Sequence, residues 1–118
     1  MNEQFINLTD GTRLSVKVNF GTMYYLTQVG GNTLARRIEK KRKRNQKASE
    51  SEQMEFTAKV IYAILRSNGK EVTFDEALML MPTNVDAMKK VIKAYEKEVE
   101  KYKKKQESKT MMKEFSGK

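Results

Sequence analysis

The sequence predicts an α+β fold: an N-terminal β-hairpin followed by a mostly helical body of three to five helices. Two observations carry this expectation. Apolar and polar residues alternate around Asp10-Gly11, and from Phe20 onward the apolar spacing changes to three and four residues. Length supplies a third, since 118 residues of which 38% are hydrophobic suit one domain, 1–118, with a modest core.

The hairpin is expected over residues 5–18. Leu14, Val16 and Val18 lie on one face of the second strand and Arg13, Ser15 and Lys17 on the other. A two-residue turn at Asp10-Gly11 would put Ile6 and Leu8 on the face opposite Leu14 and Val16. A three-residue loop, Thr9-Asp10-Gly11, pairs Leu8 with Thr12 and Ile6 with Leu14, which gathers the aliphatic side chains on one side. The second register is therefore expected, with Gly11 as the left-handed residue of a bulge. Two strands are marginal alone, so this face needs helices or a partner against it.

Helices are predicted over 20–44, broken at Gly30-Gly31. Asn19 or Gly21-Thr22 starts the first, Phe20, Met23, Tyr24 and Leu26 give it an apolar side, and Asn32 or Thr33 restarts the chain through Leu34, Ala35 and Ile38. The glycine pair lacks the context of a phosphate-binding loop and reads as a turn. Residues 45–53 contain no large apolar side chain and read as a basic-to-polar flexible linker. A central apolar helix is expected over 54–67, with Phe56, Val60, Ile61, Ile64 and Leu65 as its stripe and Ala58, Tyr62 and Arg66 toward its edges. Gly69 should be its left-handed cap.

A short helix over 73–81 follows from a capping box, with Thr73 as N-cap, Glu76 reaching back to it, and Pro82 as the stop. A long amphipathic helix is expected over 84–103. Val85, Met88, Ile92, Tyr95, Val99 and Tyr102 follow one another at spacings of 3, 4, 3, 4 and 3, a heptad seam. Residues 104–118 read as a flexible lysine-rich tail. The expected partner-binding residues are Val99, Tyr102, Met111, Met112 and Phe115, apolar side chains placed where a small core does not reach.

The net charge is +9, and its distribution is uneven. Residues 1–35 are neutral. Arg36, Arg37, Lys40, Lys41, Arg42, Lys43, Arg44 and Lys47 face only Glu39, giving this block +7. Residues 48–88 are acidic, and 89–118 are basic, with eleven lysines against five glutamates. A basic patch of this kind fits a nucleic-acid contact, a solvated hinge or an acidic protein partner. No helix-turn-helix or RNA-recognition aromatic motif accompanies it, and Tyr24, Tyr25 and Tyr62 read as core or edge residues.

Histidine and cysteine are both absent, which excludes disulfides, His- or Cys-based metal sites, thiol nucleophiles and His-dependent triads. The remaining acids near the core, Asp75, Glu76 and Asp86, sit at helix starts where capping and the helix dipole account for them. The expectation is a protein that is not an enzyme and needs no cofactor or metal. No stretch approaches the roughly 20 apolar residues of a membrane span and no signal-like segment opens the chain, so a cytosolic location is expected. Three classes stay open: a nucleic-acid binder using the 36–47 patch, a structural oligomer subunit, and a binding or assembly module.

The segment Ile6-Asn7-Leu8-Thr9-Asp10-Gly11-Thr12-Arg13-Leu14, followed by Val18-Asn19-Phe20-Gly21-Thr22, resembles the start of tail assembly chaperones of long-tailed phages and prophages of Gram-positive bacteria. Members of that family open with a glycine-turn hairpin ending in a Phe-Gly step. Phe56 to Arg66 and Gly69 to Leu78 are similar to their apolar helix, small-polar loop and short helix. These stretches cover 35 of the 118 residues. The resemblance implies a non-catalytic role: binding the aggregation-prone tape measure protein, helping to recruit tail tube subunits, and self-association. It also implies a place in the host bacterial cytoplasm and absence from the mature virion. The basic 36–47 block and the lysine-rich end depart from the family's simplest pattern.

Overall fold

A computed structural model describes the backbone of residues 4–116 and the side chains of residues 4–105. The fold is α+β, with two antiparallel strands, β1 (Phe5–Asn7) and β2 (Arg13–Ser15), ahead of five helices. These are α1 (Phe20–Gln28), α2 (Gly31–Lys43), α3 (Glu50–Ser67), α4 (Phe74–Leu80) and α5 (Val85–Ser116). The hairpin adopts the register that unites its aliphatic residues: Ile6 pairs with Leu14, and the Leu8 N–H donates to the Thr12 carbonyl at 2.8 Å. Gly11 has a φ of +91°, as the bulge requires. Ile6, Leu8, Leu14 and Val16 are all buried, while Phe5 lies outside with the Arg13 guanidinium 4.1 Å above its ring. The Asp10 carboxylate accepts the Thr12 N–H at 2.9 Å, which lowers its pKa and tightens the turn.

The hairpin loop also ends α4. Thr9 donates its N–H to the Leu80 carbonyl and its hydroxyl to the Met79 carbonyl, at 3.2 and 3.0 Å. Two carbonyls left over at a helix C-terminus thereby find donors from across the domain. The start of α4 has the expected capping box between Thr73 and Glu76.

α3 is the hub and packs on α1, α2, α4 and α5. Ala58, Val60, Ile61, Ala63 and Ile64 have no exposed surface, so Ala58 belongs to the core and not to the helix edge. Thr57 is buried too, its hydroxyl donating to the Gln53 carbonyl at 2.7 Å. At the other end of α3, the buried Thr22 hydroxyl donates to Ser67 Oγ at 2.8 Å. The same Thr22 shares a capping box with Asn19, the N-cap of α1. The C-terminus of α1 is held by the Lys59 ammonium, which donates to the Val29 carbonyl and pairs with Glu55 at 3.2 Å.

Several boundaries differ from the sequence expectation, each for a local reason. Gly30, with φ +75°, caps α1, but Gly31 is already the first residue of α2. A Cβ on Gly31 would lie 2.4 Å from Leu26 Cδ1 and 3.0 Å from the Leu26 carbonyl oxygen, so the pair divides its work between conformation and close approach.

The flexible linker 45–53 is replaced by a tight turn and the first residues of α3. Asn45 is left-handed at φ +58°, and the bonds Asn45 N–H to Arg42 and Gln46 N–H to Lys41 close a Schellman motif. Ser49 and Glu52 then form a capping box that starts α3 at Glu50, four residues before the expected 54.

The short helix expected over 73–81 has Thr73 and Met81 as its caps. The long helix expected over 84–103 begins after Asn84, whose side chain accepts the Ala87 N–H at 2.8 Å, and runs to Ser116. Most of the expected flexible tail 104–118 is therefore helical backbone. From Pro82 the next glycine or proline is Gly117, and the intervening Lys, Glu, Gln and Met are good helix formers.

Candidate functional site: an apolar groove with a lysine rim

The expected basic patch divides into residues with different tasks. Arg36, Arg37, Lys40, Lys43 and Arg44 are exposed along the outer side of α2, with Lys47 exposed in the following turn. Lys41 instead donates to Glu52 Oε1 at 2.6 Å. Glu52 is also the capping residue that accepts the Ser49 N–H, and its side chain is only 12% exposed. Hydrogen bonds from Lys41 and Ser49 pull its carboxyl down to about 2 from an ordinary 4.5. Arg42 spans from α2 to α5, with Nη1 3.5 Å from Glu39 and Nη2 3.6 Å from Glu96.

These contacts frame a groove of about 630 Å³ between α2, the turn after it, the first part of α3, and α5. Ala35, Ile38, Phe56 and Ile92 form an apolar floor. Arg42, Lys47, Lys89, Lys90 and Lys93 stand around it with Glu39 and Glu96. Phe56 is 6% exposed and packs edge-on against Tyr95, their ring centroids 6.3 Å apart. Burial raises the Tyr95 hydroxyl to about 12, and its contact is the Met23 sulfur at 3.7 Å. Tyr95 thus braces the groove from behind as a neutral group. Gln53 closes one end of the wall, its amide donating to the Ala48 carbonyl at 3.1 Å.

The expected partner-binding residues are not gathered here. Val99 is half-buried against the core and borders a separate hollow of about 270 Å³ with Tyr95, Glu96, Glu100 and Lys103. Tyr102 is half-buried one turn further on. Met111, Met112 and Phe115 lie outside the residues whose side chains are described. The heptad seam is also broader than expected, because Val91 and Ala94 are buried beside Met88 and Tyr95. α5 packs on the domain through this wider stripe.

The tyrosines of α1 and α3 form a run of aromatic contacts that starts at the half-exposed Tyr24. Tyr24, Tyr25, Tyr62 and Phe74 contact one another in succession, edge to face, with centroids 5.3, 6.3 and 6.1 Å apart. Among the described residues, no group of three or more acidic side chains could hold a metal ion, and no helix is long and apolar enough to cross a membrane. Compared with protein-family models, curated proteins and solved structures, the chain matches none.

The groove was only partly visible in sequence. Ile38 and Ile92 were legible as apolar helix positions, and Phe56 as part of the α3 stripe. Lys89 and Lys93, four residues apart, fall on one edge of the helix, a signal the net charge of 89–118 does not isolate. Nothing local announced that this edge would face Ile38 across a gap.

Proposed function

We propose that this protein is a non-catalytic tail assembly chaperone of a phage or prophage, which binds the tape measure protein and helps recruit tail tube subunits. The observation that carries the reading is the solvent-facing apolar groove between α2, α3 and α5, since a chaperone of this kind needs accessible apolar surface on a body kept soluble by charge. The resemblance of the hairpin, the Phe20-Gly21 step and the α3–α4 run supplies the family, and with it self-association, action in the host cytoplasm and absence from the mature virion. Co-expression with a tape measure protein from the same genome is the test. A soluble complex that survives purification is the expected result, while no gain in client solubility and no complex would refute the reading.

A second reading has one observation of its own. The exposed row Arg36, Arg37, Lys40, Lys43 and Arg44, with Lys47 beyond it, could follow a phosphate backbone. Titration with duplex DNA and with RNA at ~150 mM salt decides it. Binding that persists there, and falls when Arg36, Arg37 and Lys40 are neutralised, would favour a nucleic-acid binder.

A further inference from the structure

We propose that the α2–α3–α5 groove receives an amphipathic helix of a partner protein, one whose apolar face is flanked by acidic residues. The inference rests on the chaperone reading for its setting and adds the site and the chemistry of the segment recognised.

Shape is the first support. Three helices form the floor, where the half-buried Ala35, Ile38 and Ile92 present carbon surface beside the buried Phe56. A volume of about 630 Å³ has room for the few anchors, at i, i+3 or i+4 and i+7, that a helix lays into a groove. An extended strand would need backbone partners at a sheet edge, and the floor is built of helices alone.

Charge is the second. The groove is bordered by five cations and two carboxylates, a surplus of three positive charges. Arg42 already spans both carboxylates, which leaves Lys47, Lys89, Lys90 and Lys93 to meet the occupant. Lysine stems extend apolar surface while their ammonium groups stay in water, so such a border favours carboxylates beside an apolar stripe. The Arg42 contacts, at 3.5 and 3.6 Å between half-exposed side chains, are weak enough to be exchanged for a carboxylate of the occupant. A nucleic acid would bring no apolar face to this floor and would set phosphates beside Glu39 and Glu96.

The test uses a fluorescein-labelled helical peptide of about 18 residues, with leucines at the groove-facing positions and glutamates flanking them. Its twin has lysine in place of every glutamate. Fluorescence anisotropy on the full chain at ~150 mM salt should show the acidic peptide binding at least about tenfold more tightly than its twin. The double variant Lys89→Glu/Lys93→Glu changes two exposed side chains, and should lower affinity for the acidic peptide by about tenfold or more. Circular dichroism of that variant should match the unaltered protein. Equal affinity for the two peptides, no binding of either, or full binding by the double variant overturns the proposal. So does displacement of the bound peptide by duplex RNA with no effect of the lysine reversals. Running the tape measure co-purification on the same two proteins separates the readings. A client retained by the double variant removes the groove and leaves the chaperone, whereas a client bound by neither protein removes the chaperone whatever the peptides do.

Discussion

The two halves of α3 are held differently. Its C-terminal half, from Val60 to Ser67, packs on α1 and α4, with Val60, Ile61, Ala63 and Ile64 fully buried and Thr22 bonded to Ser67. Its N-terminal half carries the Lys41–Glu52 pair and one side of the groove, and Met54 there is 40% exposed. Both halves remove carbon from water, Phe56 and Ala58 in the N-terminal one, but that half adds the Lys41–Glu52 ion pair to its packing. The difference teaches where this domain tolerates change: volume matters most at the C-terminal end, and pH and salt at the N-terminal one.

The sharpest way to break that contrast is a pair of truncations. Ile64→Ala should cost about 2–5 kcal/mol, because a fully buried side chain leaves a cavity among rigid neighbours. Met54→Ala should stay within about 0.5 kcal/mol. Urea denaturation of both variants measures the gap, and similar losses would mean the two halves are not held differently after all.

Gly31→Ala probes the seam between α1 and α2. Its new methyl meets both the buried Leu26 side chain and the Leu26 carbonyl, so about 1–3 kcal/mol of overpacking is expected. Gly11→Ala gives a useful contrast. There the added Cβ meets no atom within 4 Å, and any loss comes from the positive φ alone. A Gly31→Ala protein as stable as its parent would show that α2 can move away from α1.

The smallest effect should come from pH. Glu52 has its carboxyl lowered to about 2 from 4.5 by Lys41 and Ser49. Its stabilising contribution is therefore complete above pH 4.5, and declines as pH falls from there toward 2, where the folded carboxyl too takes its proton. Thermal unfolding followed across that range should fall less steeply with acid in Glu52→Gln than in the parent protein. Parallel curves would remove Glu52 from the account of acid sensitivity.

Much of this was legible locally. The three-residue hairpin loop followed from asking which register collects Ile6 with Leu14, and the Thr73–Glu76 cap from spacing alone. The same spacing rule, applied at Ser49 and Glu52, also marks the start of α3. The end of α5 was misplaced: a lysine-rich run reads as a solvated tail, yet with no glycine or proline before Gly117 nothing local stops the helix. The candidate site was less legible than the fold. Individual positions such as Ile38 and Ile92 were readable as apolar, but their opposition across a gap depends on how α2 and α5 cross α3.

What the sequence by itself determined are the α+β class, the hairpin register, the capped helix starts, the absence of histidine and cysteine, and the two concentrations of positive charge. Each is set by neighbours within a few residues, or by composition, and needs no knowledge of packing. Tertiary structure alone decided that Lys41 and Arg42 are bound to Glu52, Glu39 and Glu96 while their neighbours stay exposed. It also decided that Lys89, Lys90 and Lys93 border the same groove as Ile38. Residues some fifty positions apart meet because α2 and α5 both pack on α3, which brings Arg42 of one within reach of Glu96 of the other.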